Sequence, residues 1–190
     1  MNHFYKKNKL TPIINVSGFM TKIGASICKN YNIKAAKEIL PFFVNIDELQ
    51  LLASKRISKQ LGCESAVITA SSSSALTESV AATITGKDLQ KIYKLPNTQG
   101  LKNKVLIQQG HLTNYGAEVG QAIRLSGAKI LKCGSKLSCR NEDVINKIKN
   151  RNPDCLFLSN NQKLFPKLIC PDAISISEIE NRYHCWNFNI

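Results

Sequence analysis

Ser65-Ala66-Val67-Ile68-Thr69-Ala70-Ser71-Ser72-Ser73-Ser74-Ala75-Leu76 is the stretch on which the fold turns. Residues 65–69 form an apolar run of strand length, the next few are small and polar, and an apolar helical stretch continues through Ile84 until Gly86 stops it. The same alternation then repeats. Strands are expected over 104–108, 128–131 and 154–159, and helices over 115–125, stopped by Gly127, and over 142–150. Short apolar strands alternating with helices of about ten residues predict βαβ units, a mainly parallel sheet and helices covering both faces.

Upstream the pattern is different. Thr11-Pro12-Ile13-Ile14-Asn15 reads as extended, and Gly18 and Gly24 bracket a segment able to wrap over a site. A short helix over 33–40 ends at Pro41. Asp47 can cap the next helix, whose Leu49, Leu52, Ala53, Ile57 and Leu61 make one stripe expected to face inward, with Gly62 as its terminal glycine. The expected organisation is therefore an N-terminal arm with helices over 1–64 and a partial large domain over 65–190. Past residue 159, Pro166 and Pro171 interrupt the pattern, Ser175 and Glu178 have capping-box spacing, and Trp186 and Phe188 lie near the end.

The whole chain sets limits on function. Its 190 residues are 43% hydrophobic, suiting one domain or a large piece of one. No window approaches the roughly 18 apolar residues of a membrane span, and the basic start lacks the apolar core of a secretory signal, so the expected address is the cytoplasm. The formal net charge of +13 favours anions. Because the basic residues are spread out, without a nucleic-acid motif, a generally basic solvated surface is preferred over nucleic-acid binding. Seven cysteines contain no CxxC pair, and Cys133 and Cys139 are too widely spaced for a short zinc hairpin; no metal site is expected.

Chemistry would gather at the carboxyl edge of the sheet. In the serine loop, small side chains allow close backbone approach, and a helix's first N–H groups and dipole attract an anion. The segment reads either as a phosphate cradle or as an ordinary cap and loop. Gln108-Gln109-Gly110-His111-Leu112-Thr113-Asn114-Tyr115 follows the next strand and reaches the same edge. There His111 either serves a flat cofactor or proton exchange, or is a satisfied loop residue ahead of a helix capped by Asn114.

Several ordered motifs together resemble the family of fold-type I pyridoxal-phosphate (PLP) enzymes that includes L-seryl-tRNA selenium transferase and D-glucosaminate-6-phosphate ammonia lyase. The opening form INASGTMTxLG is matched by Ile14-Asn15-Val16-Ser17-Gly18-Phe19-Met20-Thr21-Lys22-Ile23-Gly24, and F-V-D-I-x-E-L is approached by Phe43-Val44-Asn45-Ile46-Asp47-Glu48-Leu49. VTxGAAAGL aligns with Ile68-Thr69-Ala70-Ser71-Ser72-Ser73-Ser74-Ala75-Leu76, and KNxVxxQxGH with Lys102-Asn103 through Gly110-His111. The resemblance covers about residues 10–160 and looks closer to the lyase branch.

It implies an incomplete three-layer αβα large domain of the fold-type I transferase class, a cofactor phosphate held by the amides of Ser72 and Ser73, and His111 near the cofactor ring. It also implies pyridoxal 5'-phosphate as cofactor, a phosphorylated amino-sugar or amino-acid-like substrate, and assembly as a homo-oligomer or with a complementing fragment. Ser71 and Ala75 replace the family's loop glycines. The cofactor-linking lysine, its preceding aspartate strand and the small C-terminal domain are not recognised: Lys163 and Lys167 sit in polar or proline-broken segments, and Asp172 ends no clear strand. No catalytic residue is assigned. The expectation is a truncated PLP enzyme of the ammonia-lyase kind, inactive by itself; the alternatives are a selenium-transferase-like protein or a non-catalytic module binding a phosphate ligand or a partner.

Overall fold

Val105, Leu106 and Ile107 in the middle of β1 (Lys104–Gln108) are each 1% exposed or less, so this strand is dry on both faces. Successive strand side chains point to opposite sides, and two helices close one of them. α4 (Ser72–Thr85) brings Val80 and Ile84, α6 (Val119–Leu125) brings Ile123, and with Val105, Ile107 and Ala128 these form the central cluster. Leu106 faces the other way. α7 (Asn141–Arg151) packs against β2 (Lys129–Cys133) and buries Val144 and Ile145.

The computed structural model describes residues 3–114, 116–151, 153, 155–158 and 167–169. The chain divides into two compact units, Met1–Val67 and Ile68–Ile190. In the second unit the sheet order is β2-β1-β3-β4, with β3 spanning Cys155–Leu158 and β4 spanning Lys167–Ile169. β1 pairs in parallel with β2 and with β3, so the chain reaches one flank of β1 through α6 and crosses to the other through α7. β4 pairs antiparallel with β3. The fold is α/β with a mainly parallel sheet, and Lys167, expected in a loop, opens its antiparallel edge strand.

Residues 65–69, expected as a strand, form no ladder among the described residues; Val67 and Ile68 are 68% and 54% exposed. An apolar run of strand length specifies a strand only when a neighbour accepts its hydrogen bonds. The helix expected over 115–125 begins later, at Val119. Asn114 does not cap it: its side chain accepts from the Gly116 amide at 2.9 Å, and Glu118 stands at the helix start without a side-chain cap bond.

In the first unit, α1 (His3–Lys7), α2 (Asn30–Ile39) and α3 (Ile46–Leu61) bury no residue. Asn45, rather than Asp47, caps α3, accepting from the Asp47 and Glu48 amides at 3.0 and 3.4 Å, while Asp47 and Glu48 sit favourably in the positive first turn. Gly62 ends α3 in the left-handed conformation, as its position suggested. The expected inward stripe is only partly covered: Ala53 and Ile57 are half-buried, but Leu49, Leu52 and Leu61 are exposed, and Phe43 wholly so. Helical spacing lines apolar residues along one face, but a second surface must arrive to bury them.

The start of the sheet is pinned through backbone. α5 (Leu89–Lys94) leads to Thr98, whose hydroxyl donates to the Gly127 carbonyl at 2.7 Å and accepts from the Asn103 side-chain amide at 2.7 Å. The Lys129 amide donates to the Asn103 carbonyl at 2.8 Å, setting the register where β2 begins. Gly127 has φ +87°, and an added Cβ would lie 2.2 Å from the Pro96 carbonyl oxygen. Gly100 has a similar φ of +79° but open space around it. Gly100→Ala should therefore cost about 1 kcal/mol of unfolding free energy from conformation alone, and Gly127→Ala about 3 kcal/mol or more, because backbone must also move. Urea unfolding midpoints of the two variants measure this; equal losses would refute the steric account.

Candidate functional site

Within the serine loop different serines stand in different positions, and the cap is the part made by hydrogen bonds. Ser71, extended at φ −161° and ψ 165°, is the N-cap of α4: its hydroxyl accepts from the Ser74 amide at 3.1 Å and lies 2.8 Å from the Ser74 hydroxyl. Its carbonyl accepts from the Thr69 hydroxyl at 3.0 Å and the Ala75 amide at 2.9 Å. Ser72 and Ser73 are the first two helical residues, both exposed. Their amides point out of the helix without an acceptor among the described residues, as the first N–H groups of a helix must.

α4 is held firmly one turn further on. The Thr77 hydroxyl donates to the Ala122 carbonyl in α6 at 2.7 Å and to the Ser73 carbonyl at 3.1 Å. The far end of α4 leads through α5 to the start of β1. The other candidate segment lies at the edge where β1 finishes.

At that edge β1 runs into a single 3-10 turn, Gln109–His111, closed by the Leu112 amide donating to the Gln109 carbonyl at 3.2 Å. Leu112 packs back against the central cluster, and a Cβ on Gly120 of α6 would meet its side chain at 3.3 Å. This tucked leucine fixes how His111 is presented. Burial pushes the His111 imidazole's pKa below its usual value, leaving the ring neutral near pH 7. Its Nδ1 is buried and has no hydrogen-bond partner among the described residues, a costly condition for a polar atom.

His111 lines a cavity of about 20 Å³, enough for one water, together with Gln108, Gly110, Lys136 and Cys139. The second wall is the loop after β2. An added Cβ on Gly110 would lie 2.8 Å from the Lys136 carbonyl oxygen, so this glycine is required by close approach and not by an unusual φ. Ser72 and Ser73 are not among the residues that line this cavity. Sequence reasoning missed the 135–139 wall. Its signal was the Cys133-Gly134-Ser135 turn between two cysteines, which are reduced, buried thiols, the reading preferred for them over a metal hairpin.

For a phosphate-bearing flat cofactor the residues fit on two counts. Two exposed amides at a helix start suit a phosphate, and a neutral imidazole with an unmet nitrogen can lie beside a planar ring without carrying charge into it. No helix among the described residues is long and apolar enough to cross a membrane.

No family model matches the chain. It is 34% identical over 133 residues to D-glucosaminate-6-phosphate ammonia lyase of Salmonella typhimurium, covering 70% of this chain and 36% of that protein. It is 24% identical over 132 residues to the 5'-C-glycyluridine monooxygenase-decarboxylase of a Streptomyces species, covering 69% of this chain and 33% of the relative. A solved structure of D-glucosaminate-6-phosphate ammonia-lyase superposes with a TM-score of 0.78 at 29% identity, over 86% of this chain and 44% of the other. The chain spans about a third of the length of the curated relatives it matches.

The His111 environment yields a pH prediction. Because its pKa is lower folded than unfolded, the unfolded chain takes up the proton first as pH falls. His111 thus imposes no penalty above about pH 6.5, and destabilises the fold progressively below that value until its folded pKa is passed. Relative to His111→Asn, the wild-type chain should lose unfolding free energy between about pH 7 and pH 5. Parallel pH dependence of the two proteins in urea titrations would contradict the burial argument.

Proposed function

Because the chain belongs, over the 133 residues matched, to the D-glucosaminate-6-phosphate ammonia-lyase-like family, we propose that it supplies the cofactor-phosphate side of a pyridoxal 5'-phosphate site in a lyase. The observation that carries the reading is the pair of open amides at Ser72 and Ser73, exposed at the start of a helix whose cap is already provided by Ser71. They would bind the phosphate. Neutral His111 would lie against the ring, its orientation set by Leu112 behind it. When bound, the cofactor supplies an electron sink that eases loss of a proton from, and of a group adjacent to, an amine-bearing carbon.

In this proposal residues 65–190 are part of the large domain of a fold-type I enzyme, and residues 1–64 are its N-terminal arm. The substrate is a phosphorylated amino-sugar acid, as the relative's name states for that protein, and the setting is cytoplasmic. The +13 net charge suits a polyanionic substrate. The exposed apolar residues of α2 and α3 support assembly with a second copy. The chain should then sediment as a multiple of its 21.1 kDa mass, and a monomer at all micromolar concentrations would remove the oligomer from the proposal.

Ser72→Pro tests the cradle itself. Proline suits the first helical position, and the extended Ser71 before it is the conformation proline favours. The substitution removes one amide donor while leaving the helix in place. Affinity for pyridoxal 5'-phosphate should fall about tenfold, the worth of one charge-assisted bond, and affinity for pyridoxal, which lacks the phosphate, should stay the same. Equal loss for both ligands, or none for either, would refute phosphate binding at this helix start. If the unaltered chain binds neither, the cofactor reading itself fails.

A further inference from the structure

The loop that walls the His111 cavity begins and ends in buried thiols for which the cofactor reading has no use. Cys133, the last residue of β2, and Cys139 are 4% and 5% exposed, and their Sγ atoms are 3.9 Å apart. A tight turn creates this contact. The Ser135 amide donates to the Ser138 carbonyl at 2.8 Å, and the Ser135 hydroxyl oxygen accepts from the Leu137 and Ser138 amides at 3.2 and 3.0 Å. Gly134 permits it: at φ +66°, an added Cβ there would lie 2.5 Å from the Cys139 Cβ. The turn therefore folds Cys139 back onto the strand end that carries Cys133.

We propose that Cys133 and Cys139 are a redox modification site, converted by a peroxide into a reversible disulfide that latches the 134–138 loop. The thiols lie six positions apart on a preformed turn, so little chain entropy opposes closure. The sulfurs must approach by about 1.9 Å to reach a bond of about 2.0 Å, a distance within reach of side-chain rotation and slight loop movement. One cysteine, as thiolate, attacks an oxygen of hydrogen peroxide; the O–O bond breaks, giving a sulfenic acid and, with the thiol's proton, water. The second thiolate attacks the sulfenic sulfur; the S–S bond forms, the S–O bond breaks, and the departing hydroxide takes up the second proton as water. Two thiols and one peroxide thus give one disulfide and two waters, and a dithiol reductant reverses the change.

The latch would act on the cavity wall. The Lys136 carbonyl already abuts Gly110, next to His111, so tying the two ends of this loop holds the surface facing the imidazole in one position. The inference stands on the loop geometry and holds whether or not the cavity belongs to a cofactor site.

Trypsin provides a direct test, because Lys132, Lys136 and Arg140 bracket the two cysteines. Cleavage puts Cys133 in peptide 133–136 and Cys139 in peptide 137–140. The folded chain is treated with hydrogen peroxide, quenched, denatured, alkylated and digested. The expected product is these two peptides joined by a disulfide, with loss of both alkylatable thiols and their full return after dithiothreitol. Exposed Cys28 and Cys63 serve as internal controls for labelling. Cys139→Ser should lose the joined species. The decisive reading is on the unaltered chain, so a variant that fails to fold does not affect it. Recovery of both peptides alkylated, their conversion to sulfinic acids without a cross-link, or pairing of either with another of the seven cysteines would overturn the proposal.

Discussion

Three consecutive apolar residues in β1 have to be kept from water on both sides, and the second unit is arranged around that requirement. Val105 and Ile107 point to one face and Leu106 to the other. A single helix cannot cover both faces; with right-handed crossovers, α6 toward β2 and α7 back across to β3 fall on opposite sides. Burying side chains of this size is worth about 1.5–3 kcal/mol each. That burial anchors β1 in the core of the unit. Its end is therefore a firm place from which to present a side chain. His111 stands three residues past it, and Leu112 returns at once to the same core, leaving the turn between them little freedom.

Apolar patterning meets different outcomes in the two units. In α4 and α6, Val80, Ile84, Ala122 and Ile123 are buried in the core beneath β1, while Leu125 stays exposed. In α3 the stripe is as regular, yet Leu49, Leu52 and Leu61 remain exposed, as do Phe42 and Phe43 ahead of it.

Close backbone approach shapes the second unit at both ends of its sheet, at the start of β1 and β2 as well as beside His111. Gly127 lets the α6–β2 turn settle on the Pro96 carbonyl, Gly110 lets the Lys136 carbonyl reach the strand end, and Gly134 lets Cys139 lie over Cys133. At each place even one methyl group would collide. The serine loop uses a different device: the Ser71 hydroxyl accepts from the Ser74 amide and caps α4.

By itself, the sequence determined the alternation of strand and helix after residue 100, the apolar identity of β1 and the glycine stop of α3, because these depend on local periodicity and on backbone conformations few residues accept. Its ordered motifs also pointed to the lyase relatives, since several short matches in one order rarely arise from patterning alone. Tertiary structure decided the rest. Whether 65–69 pairs as a strand depends on a neighbour that no local window contains, and whether the α3 stripe is buried depends on a surface elsewhere. The lowered pKa of His111 comes from burial, and part of the cavity beside it is walled by residues 135–139, more than twenty positions away in sequence. The sulfur contact of Cys133 and Cys139 likewise appears only once the turn has closed, since spacing gives the length of a loop but not the direction in which it folds.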